Sequence, residues 1–451
     1  MTDGCGLVSQ DLFQSAARCS RQPGRKRLAR EACALQVRVF HRAGATWFFA
    51  KGILRVDAGL PPNTVVLRRS MVKVPHDAAA EGDLGSCEAP LLLKRVCDSG
   101  RGQLNSMDMM IREASGVRQD VLVRKVTEDI RDLSDLDRHT LEKRFIADLV
   151  KRVQQSSRRG LFAQEDRFLN RSWLALEMAL HGIRDPHYPS YIDTYSFLDR
   201  VRHVPLSKAA MLVAIADDTG TLQPGEVCVK TRRAGQDAGG GPAHVLGPVS
   251  VSRFPEYHPG NLRMLRAVAP PAGSALARQL EGRGEAAFFS TAGPRSELDC
   301  MGGGDFDGDE VLVCWDPELL LSPPVQLPPE PPRYDAASPR QDAVEVASDI
   351  GLMAGNVLRR AAGLLTHRLH HAWCLFAGRN VSDLRGETNA ALDRLINREL
   401  DAIKTGCHVD VKEIHRLCAP EFGTNWGRLR YDFMAIEKGH KTRRRALPSS
   451  C

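Results

Sequence analysis

Short strand-like runs, broken by glycine and proline, recur in two separate stretches of this chain. They limit its fold more than any other feature. ALQVRVF (34–40), TWFFAKGILRV (46–56) and TVVLR (64–68) form the first group. AMLVAIA, EVCVK, VLGPVSVSRF, AAFFS and EVLVCW, all between residues 196 and 320, form the second. Short runs rich in β-branched and aromatic residues, bounded by turn residues, predict many short strands. Two such groups with helix between them predict two small barrels rather than one wide sheet.

Helical patterning fills the intervals. Leu141, Phe145, Leu149 and Val153 recur every fourth residue and lay one apolar stripe on a helix. Leu392, Ile396, Leu400 and Ile403 do the same further on, and Lys404-Thr405-Gly406 supplies a stop signal. Six of the ten residues 323–332 are proline, which predicts an extended linker. The expected class is therefore α+β. A first barrel region spans 1–75 and a helical connector 76–195. A second, catalytic barrel spans 196–320 and a Pro-rich linker 321–340. A helical region at 341–435 and a basic disordered tail at 436–451 complete the chain.

The longest clean apolar run, Ala209–Ala216, is far short of the ~20 residues that cross a bilayer. The opening MTDGCGLVSQDLF lacks the basic and apolar regions of a secretory signal. The 12 cysteines form no CxxC pair, so they read as reduced, mostly buried thiols. These features predict an intracellular protein of cytoplasm or nucleus, with no membrane partner. The net charge of +7 is clustered at Arg25–Arg27, at Lys151, Arg152, Arg158 and Arg159, and from Lys438 to Arg445. Such clusters suit a polyanion through counterion release, and equally suit a solvated surface.

The sharpest chemical signal is GGGDFDGD (302–309), ahead of the strand-like run Glu310–Trp315. Asp305, Asp307 and Asp309 alternate on a tight glycine-flanked loop, where all three can converge on one cation. Gly308 tolerates the positive φ that such a curl requires. Three hard oxygen donors suit Mg²⁺, or Mn²⁺. An ion held there could activate a hydroxyl nucleophile, and a second arriving with a triphosphate could neutralise leaving pyrophosphate. A calcium loop of the EF-hand kind fits poorly. It needs glycine at its sixth place and glutamate at its twelfth, where this chain has Glu310 and Asp316. A solvated acidic turn would leave three crowded carboxylates repelling one another.

DFDGD in this setting resembles the metal loop of RNA polymerases built on double-psi β-barrels. The flanking segments resemble the eukaryotic cellular RNA-dependent RNA polymerases of RNA silencing. They are TDGCG (2–6), ALQVRV (34–39) with KGIL (51–54), LRRSMVKV (67–74), IADDTGTLQPGEVCVK (215–230), HPGNLRMLRAV (258–268), FFSTAGPR (288–295) and ELDAIKTG (399–406). They follow one another in that family's order. HPG and CWDP (314–317) disfavour a DNA-templated polymerase of the same barrel class, which stays a further alternative. The resemblance implies two double-psi barrel units, with Asp305, Asp307 and Asp309 as catalytic metal ligands. Lys51 and Lys73 would face the triphosphate, and His258 and Arg263 would lie near the RNA. Implied partners are a single-stranded RNA template, NTPs and the small-RNA silencing machinery. A non-catalytic RNA-binding relative is the alternative. The sequence departs from the family pattern at Asn261 (Asp expected), Arg69 (Pro) and Val74 (Phe). His41–Ala50 is altered where the family has a short glycine turn, and the family's usual large N-terminal portion is lacking.

Overall fold

The computed structural model describes residues 4–43, 46–74, 91–122, 124–125, 204–235, 241–321, 369–370, 372–373, 376–377, 381–405 and 409–424. The expected 141–153 stripe, most of the Pro-rich linker and the two later basic clusters lie outside them. The chain divides into two units: Met1–Gly102, Met110–Val117 and Ser207–Cys451 in one, Gln103–Met109 and Arg118–Leu206 in the other. The smaller unit carries an exposed Arg118–Asp120 ion pair at 2.6 Å.

The second strand group closes into a barrel. Its strands are β8 (Val204–Asp217), β9 (Glu226–Thr231), β11 (Gly247–Ser252), β12 (Arg263–Ala267), β13 (Ala286–Ser290) and β14 (Glu310–Cys314). They run around the ring in the order β9–β12–β11–β14–β8–β13, and β13 pairs back onto β9. Two of the six neighbour pairs, β9 with β12 and β8 with β13, are parallel. This is the expected double-psi barrel. The short β10 (Ala243–His244) extends β9 outside the ring. All five residues of β13 are buried, which explains why AAFFS has no polar alternation. Val213, Ile215, Phe288, Phe289, Val311 and Val313 fill the core.

The first strand group forms a six-stranded sheet that, among the described residues, is open. Its order is β4 (Val65–Val66), β1 (Cys5–Ser9), β3 (Thr46–Asp57), β2 (Ala34–Ala43), β6 (Leu91–Val96), with β5 (Val72–Val74) also on β3. Only β1 and β3 run parallel. Two local expectations are corrected. Residues 1–75 are not strand throughout, because α1 (Gln10–Cys19) and α2 (Arg25–Glu31) interrupt them. Phe13 and Ala17 lie one helical turn apart and are buried, with Asp11 in the first turn and Arg18 in the last. Residues 91–104, expected in the helical connector, form β6 and β7 (Gly100–Leu104) before α3 (Ser106–Ala114). The leucine run at 91–93 hides the alternation that β6 shows in place.

The altered segment His41–Ala50 lengthens the β2–β3 hairpin, whose pairing runs unbroken from Ala34–Arg55 to Ala43–Thr46. One face of that hairpin, with Leu35, Val37, Val39, Ala50 and Leu54, packs on α1 and α2. Cys5, Ala34 and Ile53 on the sheet share the barrel's core. Charged contacts also join the two sheets. Arg55 on β3 reaches Asp218 after β8 at 2.8 Å, and Arg68 pairs with the same carboxylate. Arg283 donates to the Ala32 carbonyl at 2.7 Å and lies 5.0 Å from the Phe13 ring centre.

The first basic cluster is a helix surface, in which Arg27 pairs with Asp98 at 2.7 Å. Among the described residues, seven of eight cysteines are buried, as expected of reduced core thiols, and Cys19 is exposed. No helix in the described residues is long and apolar enough to cross a membrane.

The short α4 (Ala275–Gln279) lies between β12 and β13, and the C-terminal region carries α5 (Glu387–Thr405) and α6 (Val411–Phe422). Leu392 and Ile396 are buried, as the periodicity requires. Asp410 caps α6 in a reciprocal box with Glu413.

Phe288 is fully buried in the closed ring. Phe288→Ala should destabilise this unit by about 3–5 kcal/mol, read as a lowered urea midpoint. An unchanged midpoint would show that the ring is not the core of the unit.

Candidate active site

The loop between β13 and β14 carries the three aspartates. Backbone geometry delivers what the spacing promised. One carboxylate oxygen from each of Asp305, Asp307 and Asp309 lies within 4.8 Å of the other two, and all three residues are partly buried. Gly308 adopts φ 133°, which turns the chain between the second and third aspartates. The Asp309 carbonyl accepts the first ladder bond of β14 from Ala214 N–H at 2.9 Å, so a rigid strand holds the loop's exit.

The loop also bonds to itself. Asp305 N–H donates to Asp309 Oδ2 at 3.0 Å, and Asp307 N–H to Asp305 Oδ1 at 3.3 Å. Phe306 between them turns inward, is buried, and lies 6.2 Å from Phe289 in ring-centre distance. Alternation thus sends carboxylates out and the aromatic ring into the barrel.

Three cations surround the loop from different elements. Lys51 on β3 ion-pairs with Asp307. Arg253, just after β11, donates Nε to Asp309 Oδ2 at 2.7 Å and Nη1 to the Gly302 carbonyl at 3.2 Å. Arg95 on β6 bonds Glu310 at 2.6 Å, Gln36 Oε1 at 3.1 Å and the Gly308 carbonyl at 3.3 Å. Sequence reasoning found Lys51 and missed Arg253, Arg95 and Gln36. The signal for Arg253 was weak: one arginine five residues before His258, in a turn. Asn397 on α5 was also missed. A Cβ at Gly302 would lie 3.5 Å from its Oδ1, so the C-terminal helix reaches the loop.

The opening glycine motif acquires a physical reason here. A Cβ on Gly4 would meet the Asp307 backbone at 2.6 Å, and Gly4 has φ 82°. Next to it, the Cys5 thiol donates to the Phe306 carbonyl at 3.4 Å. Burial pushes that thiol up to about 12, so it stays protonated and able to donate. The first sheet therefore lies directly on the metal loop.

The other expected site residues fare differently. Lys73 lies on β5 beside the bulge where β3 passes from Phe49 to Ala50, close in register to Lys51; its side chain is outside the described residues. His258 is 2 % exposed, and its Nδ1 accepts the Gly260 N–H at 3.0 Å. This imidazole closes the HPG turn from inside. Tyr257 beside it is fixed from the C-terminal region, its carbonyl accepting from Trp373 Nε1 at 2.7 Å and Asn389 Nδ2 at 2.9 Å. Arg263 on β12 is engaged by Glu297 at 2.8 Å.

Burial, reinforced by Arg394 and Arg385, lowers the His258 pKa from 6.5 to about 4. The unfolded chain thus takes up this proton first as pH falls. Its contribution to stability is complete above pH 6.5 and is lost between 6.5 and about 4, by roughly 3 kcal/mol. His258→Asn keeps an acceptor for Gly260 and removes the titration. Its urea midpoint should lose that part of the acid slope, and an unchanged slope would refute the assignment. Gly4→Ala should weaken divalent-cation binding by about 10- to 100-fold, measured by Mn²⁺ electron paramagnetic resonance. Equal affinity would show that the close approach does not shape the loop.

The comparisons with known proteins agree with this geometry. The chain is 26 % identical over 392 residues to the Arabidopsis thaliana protein "Probable RNA-dependent RNA polymerase 5", an alignment covering 80 % of this chain and 36 % of that one. It is 26 % identical over 350 residues to "Probable RNA-dependent RNA polymerase 4" of Oryza sativa subsp. japonica, covering 71 % and 28 %. It spans about a third of the length of these relatives. Among solved structures, the RNA dependent RNA polymerase QDE-1 from Thielavia terrestris shares the fold, with a TM-score of 0.57 at 18 % identity. That match covers 94 % of this chain and 47 % of the other. The family model for RNA dependent RNA polymerase matches residues 1–449, and the chain belongs to that family.

Proposed function

We propose that this chain copies single-stranded RNA into complementary RNA by nucleotidyl transfer. The observation that carries the reading is the convergence of Asp305, Asp307 and Asp309 on the closed barrel, within 4.8 Å, with Lys51 contributed by the other sheet. The donor set fits a hard divalent cation, with three carboxylates and no soft ligand, and Mg²⁺ or Mn²⁺ is the proposed occupant. Such an ion supplies Lewis-acid activation of the attacking hydroxyl and neutralisation of phosphate charge.

The protein's own groups do the rest. The three aspartates would hold that ion, and Arg253 holds Asp309 in place. Lys51, which reaches the loop at Asp307, would offset charge on the triphosphate as a point charge. Lys73, adjacent in register, is proposed for the same role. The 3′-hydroxyl of the growing strand, or of an initiating nucleotide, attacks the α-phosphate of the incoming NTP, and pyrophosphate leaves. Holding these atoms in line is worth several powers of ten in rate. The double-stranded product would feed small-RNA silencing, in the cytoplasm or nucleus, as the family resemblance implies.

The test is labelled-NTP incorporation on single-stranded RNA with Mg²⁺ or Mn²⁺, with a single-stranded DNA template alongside. Asp307→Ala should lower incorporation by at least about a hundredfold. A folded chain that binds RNA and incorporates nothing would sink the catalytic reading and leave a binding relative. Preference for the DNA template would transfer the activity to the DNA-templated class.

A further inference from the structure

Among the described side chains, the face of the β2–β3 hairpin that leaves the metal loop carries aromatic rings beyond its cations. Along β2 exposure alternates. Val37 and Val39 are buried, whereas Gln36, Arg38 and Phe40 turn the other way, and Phe40 is 41 % exposed. Its cross-strand partner is Phe49, with ring centres 4.8 Å apart and planes tilted by 33°. Arg38 pairs directly with Lys51 on one side and with Leu92 of β6 on the other, and Leu92 is 56 % exposed.

This face therefore runs in a definite order. Ile53 and Gln36 meet at the metal loop, Lys51 and Arg38 come next, and Phe49 and Phe40 follow. Two residues of strand cover ~7 Å, so the rings stand about that far beyond Lys51. Lys94, at the bulge of β6, adds another cation. Desolvation together with Arg38, Arg95 and Lys51 lowers its pKa, while Asp307 raises it, which places all of them in one electrostatic neighbourhood. Among the described residues neither Arg38 nor Lys94 has a carboxylate within ion-pair distance, unlike Lys51 and Arg95. Such cations beside an aromatic pair with one exposed ring match the surface that single-stranded nucleic acids use, with phosphates on the cations and bases on the rings.

We propose that Phe40, paired with Phe49 and followed along the same face by Arg38, Leu92 and Lys94, is a stacking platform for single-stranded RNA at the mouth of the carboxylate site. The identity of the occupant rests on the polymerase reading. The competing role is a cross-strand aromatic pair that merely stabilises the hairpin.

The test uses the full chain and a 12-mer oligouridylate carrying 5-iodouridine, without NTPs. Irradiation should give an adduct on the peptide containing Phe40 or Phe49. Phe40→Leu, which keeps an apolar side chain on the hairpin, should weaken binding about tenfold with little change in the urea midpoint. Arg38→Gln and Lys94→Gln should each lower the slope of log affinity against log salt by about 0.7. Wild-type affinity and salt slope in all three variants, with no adduct on either peptide, would overturn the platform. Nucleotide incorporation by a protein showing that null result would leave the polymerase reading standing without it. RNA binding that depends on these residues, in a protein that incorporates nothing, would uphold the platform and sink catalysis.

Discussion

Three like charges held within 4.8 Å of one another set the terms for the rest of this molecule. At an effective dielectric near 20, each carboxylate pair at that separation repels by roughly 3 kcal/mol. Partial exposure to water lowers the figure, but the total still rivals the stability of an ordinary domain. The loop survives because its own N–H groups point at its carboxylates and because cations reach it from outside. Lys51 comes from β3, Arg253 from the end of β11, and Arg95 braces the carbonyl of Gly308 from β6.

Two of those cations belong to the first sheet, so the site is complete only when that sheet sits on the barrel. Docking uses both contact and charge. Gly4 allows backbone to approach backbone at Asp307, and Ile53 and Cys5 enter the barrel's core. Asp218 receives two arginines from the sheet, and Arg232 of the barrel reaches Glu31 of α2. Metal loop and docking surface are one construction, which explains why glycines cluster at both.

The sequence announced the chemistry more clearly than the architecture. DFDGD was legible because three carboxylates at alternate positions need a common cation and Gly308 supplies the bend. Strand texture disclosed the barrel, since Ala209–Ala216 and AAFFS have no solvent face to mark with polar residues. It concealed α1 and α2, whose short apolar stripes, Phe13 with Ala17 and Leu28 with Ala29, are too brief to stand out beside strong β runs. Lys51 could be found from its neighbours KGIL, whereas Arg253, Arg95 and Asn397 are single polar residues that only tertiary contact makes significant. The burial of His258 and its bond to Gly260 were likewise invisible until the turn was in place.

The order of strands in the ring bears on how the chain is made. β8 lies between β13 and β14, and Val213 pairs with Ala286 on one side and Glu310 on the other. Its second neighbour is synthesised about a hundred residues after it. At the usual ~5–20 residues per second of translation, this apolar strand waits roughly 5–20 s on the ribosome with an unpaired edge. A barrel closed by its last strand forms late, through contacts distant in sequence, and folds slowly for that reason. Chaperone occupancy during synthesis should therefore be highest while the segment between β8 and β14 is emerging.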